Sequence, residues 1–247
     1  MSQFFSKNYW SIGFQSKFYD RLSPESYFDS MRRVIANFPP EKSLSLLDAG
    51  CGSGLILQFL APRIKQGMHY TGLDRLKPGV VQTLLRAQKL NIAGRVSCFQ
   101  SDLITPFPVT GQKYDVIVAH FSLYTLDSIE HRQMALKNLK AVLKDQGHLI
   151  IVNPSVNYNA VSIIDHSVQL LKESHGLLSS LIKKYMVYPF TKTIGLRFIQ
   201  KQLRSGVWKA YTHEAFSQEF GNAGFEVQHI EEVYAGSALL GIGRNRP

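Results

Sequence analysis

Residues 46 to 54 read LLDAGCGSG, an apolar run closed by Asp48 and followed by glycines at 50, 52 and 54. Glycine weakens regular structure, so three at alternate positions mark a place where the backbone must turn sharply or approach a ligand closely. Just upstream, LSLLD (44 to 48) has the apolarity and length of a buried strand, and SGLILQFLAPRI (53 to 64) carries helical spacing. A strand, a glycine turn and a helix start aim backbone amides at a ligand, so a nucleotide or nucleoside is expected here. The spacing narrows the choice. GxGxG behind an acid differs from the GxGxxG of dinucleotide sites, and the absence of a following Gly-Lys-Ser/Thr excludes a P-loop.

The same alternation continues outward. MHYTGLD (68 to 74), RVSCFQSD (95 to 102), YDVIVAH (114 to 120) and GHLIIVN (147 to 153) read as strands, and KPGVVQTLLRAQKLN (77 to 91) and DSIEHRQMALKNLKAVLKDQ (127 to 146) as helices. Strands alternating with helices predict a parallel sheet covered on both faces. After Asn153 the rhythm breaks until Tyr211. A helix then follows, with Thr212 as N-cap and Gly224 as its terminal glycine, and two strand-like runs meet at a turn near Ala235 and Gly236. Too few residues separate these runs for a crossover helix, so they pair antiparallel, unlike the last strands of a nicotinamide-binding fold. Before the sheet, Ser23 and Pro24 announce a helix whose apolar face is Tyr27, Met31, Val34 and Phe38.

Composition bounds the answer. With 247 residues, 45% apolar and 19% charged, one sizeable domain is expected. The N-terminus lacks the continuous apolar run and small-residue cleavage site of a secretory signal. Nor does any apolar run reach the roughly 20 residues of a spanning helix. Cys51 and Cys98 have no ligand spacing, so no metal site is expected, and a reducing cytoplasm is the expected location. The net charge is +10. Eight basic residues and two acids fall between Pro154 and Tyr211, so six of those excess charges lie in the insertion.

Two more acids end strands: Asp74 in YTGLD, placed to accept ribose hydroxyls, and Asp102 in FQSD, placed to accept an adenine amino group. The ordered set LLDAGCGSG, YTGLD, FQSDL, YDVIVAHFSLYTL and LKAVLKDQGHLIIVNPS resembles the motifs of class I S-adenosylmethionine-dependent methyltransferases over residues 43 to 155. The resemblance implies an α/β fold with a seven-stranded Rossmann-like sheet, order 3-2-1-4-5-7-6 with strand 7 antiparallel, and S-adenosyl-L-methionine as cofactor. It implies a single domain: an N-terminal helical cap (1 to 42), a cofactor-binding core (43 to 153), a helical lid insertion (154 to 211) and a C-terminal helix with hairpin (212 to 247). It further implies that Asp48, Ala49, Gly50, Cys51, Gly52 and Gly54 cradle the methionine part and that Asp74, with Arg75 beside it, takes the ribose. Ser101, Asp102 and Leu103 hold the adenine, and Ala119 and His120 close the pocket. More loosely, the Tyr19-Asp20 pair and the long insertion resemble methyltransferases of quinone biosynthesis.

Methyl transfer from a sulfonium needs positioning, and it needs a base only if the acceptor loses a proton. His120, just past strand four, is the leading catalytic candidate, with Tyr19 and Tyr124 as aromatic candidates for the methyl path. In the insertion, IGLRFIQKQLR sets Leu196, Ile199 and Leu203 on one face and Arg197, Lys201 and Arg204 on another. Such a helix either packs as a lid or lies on an anionic membrane. Further apolar stripes (Val161, Ile164, Val168, Leu171; then Leu178, Leu181, Ile182, Tyr185) suggest a small, hydrophobic acceptor that is aromatic, quinone-like or lipid. The competing readings are a nucleic-acid or protein methyltransferase and a non-catalytic adenosylmethionine-binding scaffold. Nucleic acid is not expected as a partner, because strand four ends in AHFSLY rather than an Asn/Asp-Pro-Pro-aromatic sequence.

Overall fold

The computed structural model describes residues 19 to 109 and 111 to 246. Seven strands form its sheet: β1 (Ser45–Ala49), β2 (His69–Asp74), β3 (Val96–Gln100), β4 (Tyr114–His120), β5 (Leu143–Pro154), β6 (Phe225–Val233) and β7 (Ala238–Asn245). They lie in the order β3-β2-β1-β4-β5-β7-β6. The first five pair in parallel, and β7 runs antiparallel to both β5 and β6, as the sequence leads one to expect. Leu46, Leu47, Val116, Ile117 and Val118 are wholly buried, which fits central strands covered on both faces. The covering helices are α1 (Tyr19–Leu22), α2 (Glu25–Ala36), α3 (Leu57–Lys65), α4 (Lys77–Lys89), α5 (Ile129–Val142), α6 (Ala160–Ile182), α7 (Tyr188–Phe190), α8 (Arg197–Arg204) and α9 (His213–Asn222).

Several boundaries differ from the sequence expectation, each for a local reason. Helix α2 takes Pro24, not Ser23, as its N-cap. Helix α3 begins at Leu57 because Gly54, at φ 68°, still belongs to the turn. Helix α5 stops at Val142 because Leu143 already pairs with Tyr114, and Gln146 at φ 64° turns the chain before Gly147. Thr212 does cap α9, its Oγ1 accepting from the Ala215 N–H at 3.1 Å. The hairpin turn carries Tyr234, Ala235 and Gly236 at φ 56°, 57° and 71°, three successive left-handed residues.

The insertion between β5 and α9 anchors to α1 and α2 through polar contacts. The Ser26 N–H donates to Ser167 Oγ (3.0 Å), and Thr191 Oγ1 donates to Leu22 O (2.7 Å). Helix α6 is broken at Gly176 (φ 81°, ψ 172°), and two π-helical turns, Lys183–Val187 and Thr191–Leu196, flank α7. Before the break, Ile164 and Leu171 are buried and Val168 packs on the core. After it, Leu178, Leu181, Ile182 and Tyr185 are exposed, so the second apolar stripe is not a packed face. Helix α8 does pack: Leu196 and Leu203 are buried, while Arg197, Lys201 and Arg204 face solvent.

Gly72, in the middle of β2, sits between the two thiols. A Cβ there would lie 2.9 Å from Cys51 Sγ and 3.0 Å from Cys98 Sγ. Gly72→Ala is therefore expected to destabilise the fold by about 1–3 kcal/mol through overpacking, read as a lower urea midpoint at unchanged slope.

Candidate active site

The glycine turn is pinned onto the neighbouring strand. The N–H groups of Gly50 and Cys51 both donate to Leu73 O (2.7 and 3.0 Å). Gly50 has φ 90°, and a Cβ on it would stand 2.4 Å from Ser122 Cβ, so this position takes only glycine. Asp74 Oδ2 accepts from the Gly52 N–H and its Oδ1 from the Leu76 N–H, both at 2.8 Å, which fixes the carboxylate at the end of β2. From the other side, Asp20 of α1 accepts from Ser53 Oγ (2.8 Å) and pairs with Arg86, whose Nε donates to Ser53 O (2.9 Å). Helix α1 and α4 thereby hold the far end of the turn.

Burial governs the charges. Asp48 accepts a 2.7 Å hydrogen bond from the Tyr70 hydroxyl, yet burial, helped by the charge of Asp74, pushes its pKa up to about 7. Asp74 is also raised by burial, against the opposing effect of its two backbone donors. Cys51 Sγ lies 3.4 Å from Cys98 Sγ, and their contact raises the Cys51 thiol further. Burial pushes His120 the other way, down to about 3, so its ring is neutral.

The tautomer of His120 follows from its neighbour. Ser30 has a single hydroxyl proton, which it donates to Tyr27 O at 2.8 Å. With that proton donated to Tyr27 O, the serine oxygen 2.9 Å from His120 Nε2 is an acceptor, an assignment that puts the ring proton on Nε2 and leaves Nδ1 a bare acceptor. Among the described residues neither His120 Nδ1 nor Ser122 Oγ has a hydrogen-bond partner, although both are buried. Between them, Phe121 adopts φ 53°, a strained conformation for an aromatic residue. Its ring stacks on Tyr27 (5.6 Å) and meets Tyr234 edge-on (5.2 Å).

These groups surround a cavity of about 790 Å³. Asp48, Gly50, Cys51, Gly52, Asp74, Arg75, Ser101, Asp102, Leu103, His120 and Tyr124 all line it. Ala49, Gly54 and Ala119 do not. Ala49 and Ala119 are strand residues with no exposed surface, and Gly54 backs onto Thr83. Asp102 also caps its own loop, Oδ1 accepting from the Ile104 N–H at 3.2 Å. Tyr124 is buried edge-on to Trp208 (5.5 Å) and serves as wall. The side chain of Tyr19 and residues 1 to 18 lie outside the described part of the chain. Sequence reading missed Ser30, Phe121, Ser122, Tyr158, Trp208 and Tyr234.

The donor set fits the expected cofactor. Two buried carboxylates suit a ligand bearing an ammonium, a sulfonium and ribose hydroxyls, and the buried Ser122 hydroxyl, unpartnered among the described residues, lines the same cavity. Among the described residues no cluster of His, Cys, Asp and Glu could hold a metal ion. A family model described as a methyltransferase domain matches residues 40–201. The chain belongs to that family, and its sheet has the strand order of the class I S-adenosylmethionine-dependent methyltransferase fold. It is 26% identical over 147 residues to a ubiquinone biosynthesis O-methyltransferase of Rickettsia typhi, an alignment covering 59% of this chain and 55% of the relative. The chain thus spans about half the length of the curated relatives it matches. Among solved structures, the N-methyltransferase NodS of Bradyrhizobium japonicum, bound to S-adenosyl-L-homocysteine, shares the fold at a TM-score of 0.64 and 13% identity. That superposition covers 98% of this chain and 99% of NodS. A SAM-dependent methyltransferase from Aquifex aeolicus gives 0.59 at 16% identity, covering 87% and 88%.

Proposed function

We propose that this methyltransferase alkylates a hydroxyl group on an apolar, ring-bearing small molecule. The observation that carries the reading is the wall on the acceptor side of His120. Tyr27, Phe121 and Tyr234 contact one another there, and Leu196, Ile199 and Trp208 of the insertion close the same cavity. The volume sits in the upper part of the roughly 300–1,000 Å³ typical of small-molecule sites. Aromatic edges and faces at these spacings accommodate another flat ring at low cost in ordering.

Asp48 and the glycine turn would hold the methionine part of the cofactor, Asp74 the ribose, and Ser101 to Leu103 the adenine. Ser122 Oγ adds a polar contact beside Gly50. The bound cofactor supplies an activated methyl group with a neutral thioether as leaving group. On the protein side, His120 Nδ1 accepts the hydroxyl proton of the acceptor, while Ser30 fixes the ring orientation. The aromatic wall excludes water and sets the approach. The relatives' designation as O-methyltransferases supports the choice of oxygen.

The test is a product assay with methyl-labelled cofactor and matched acceptors: a phenol with an alkyl or prenyl tail, the same phenol without the tail, and an amine of equal size. Label on the oxygen of the tailed phenol, at a higher kcat/KM than on the others, is the expected outcome. Methylation confined to polar metabolites or to the amine would overturn the proposal.

A further inference from the structure

We infer that the crest of the insertion, residues 177 to 194, docks onto an anionic lipid bilayer. Of the seventeen large apolar side chains exposed among the described residues, eight fall within these eighteen residues, so the exposure is concentrated rather than scattered. Leu178 is 74% exposed, and Tyr185 and Met186 are each 69% exposed. The break at Gly176 and the π-helical turns separate this stretch from the part of α6 that packs on the core. It is not the surface that the sequence alone suggests, because the apolar face of α8 is occupied by its own domain.

Charge decides what covers the crest. The forty residues between Glu173 and Glu214 contain seven basic residues and no acid, and Lys183, Lys184 and Lys192 lie within the crest itself. A second copy of this chain would set these cations against their equals. The N-terminal eighteen residues are no better matched, with Lys7 and Lys17 and no carboxylate. A surface of acidic headgroups above acyl chains complements both the lysines and the apolar side chains. Lys184 Nζ lies 5.6 Å from the Tyr185 ring, so an apolar body and a cationic tip are presented together. No helix of the described residues is long and apolar enough to cross a membrane, so the contact is peripheral.

The crest also reaches the active site. Phe190 and Ile194 are more than half exposed and at the same time line the cavity. A lipophilic molecule dissolved in the bilayer can therefore pass to the site along an apolar rim. Vesicle docking itself does not depend on which acceptor is methylated.

The experiment is co-sedimentation of the full chain with vesicles of phosphatidylcholine alone and of phosphatidylcholine mixed with phosphatidylglycerol. Pelleting with the mixed vesicles only, weakened by salt, is the expected result. Lys183→Gln with Lys184→Gln is expected to weaken partitioning about thirtyfold, taking about 1 kcal/mol per charge near the surface, and Leu178→Glu with Met186→Glu to abolish it. All four side chains lie outside the cavity, so cofactor binding by both variants should match the parent protein and reports that they fold. The inference is overturned if the parent ignores anionic vesicles, if neither variant changes pelleting, or if the crest substitutions act by turning a dimer into a monomer. Failure of the tailed-phenol assay alongside vesicle docking would leave the membrane surface standing and sink only the acceptor proposal.

Discussion

Affinity for S-adenosylmethionine is expected to rise about tenfold per pH unit up to about pH 7 and then to level off. Without ligand, burial keeps the Asp48 carboxyl protonated below about pH 7, because no cation compensates its charge. A cationic ligand reverses that preference, so binding must release the proton whenever the pH lies below the raised pKa. Release of one proton gives the stated slope, and above about 7 there is none to release. Calorimetry across that range, repeated in two buffers of different ionisation enthalpy, measures both the slope and the proton count. Asp48→Asn should bind roughly 10- to 150-fold more weakly above pH 7, the value of a hydrogen bond to a charged group at about 1.5–3 kcal/mol. Its affinity should also be flat with pH. A flat profile in the parent protein would show that Asp48 does not face the ligand's charge.

Replacement of His120 carries the other large effect. His120→Ala is expected to lower kcat for a hydroxyl acceptor towards the low end of the ~100- to 10,000-fold contribution of a positioned base, because a ring whose pKa is held down to about 3 is a weak one. Ser30→Ala should produce a smaller loss in kcat with KM for the cofactor unchanged, because the ring then keeps neither its tautomer nor its orientation. Ser30→Thr, which retains the hydroxyl, should restore most of the rate; equal damage from Ala and Thr would mean that Ser30 only packs. Stability adds an independent readout. The raised pKa of Asp48 contributes stability below about 4 that is lost as the pH rises through about 7. The depressed pKa of His120 contributes stability above about 6.5 that is lost as the pH falls towards about 3. Between about pH 4 and 6.5 these slopes oppose each other at about 1.4 kcal/mol per unit each. His120→Gln removes one of them, so urea midpoints should fall with rising pH more steeply than in the parent.

What could be read in advance was what is local along the chain. Asp48, Gly50, Cys51, Gly52, Asp74 and Asp102 lie at or just past strand ends, and the parallel topology brings those ends together around one cavity, so these residues were legible from periodicity and turn residues while Ala49 and Gly54 fall outside the lining. His120 was legible for the same reason. Its partner was not: Ser30 lies ninety residues earlier, on a helix whose apolar pattern gives no sign of a polar contact. Tyr234 reaches the cavity from the far hairpin, and nothing in HFS marks Phe121 for a left-handed conformation. The stripe after Gly176 was legible as apolar, but periodicity says that a face exists and not what covers it. Packing energy decided that outcome, since the core behind α6 is already filled by Ile163, Ile164 and Leu171.

The reversed last strand has a consequence for how such a chain can diversify. Because β7 returns antiparallel beside β5, the turn before it delivers Tyr234 to the cavity, 6.3 Å from Tyr158 of the insertion. Apart from Tyr27, the ring-bearing wall is supplied after residue 120, whereas the residues proposed to face the donor come from positions 48 to 122. One molecule thus keeps two inventories on separate lengths of chain. On the proposed assignment, exchange of the later length would change the acceptor while the earlier length kept the donor.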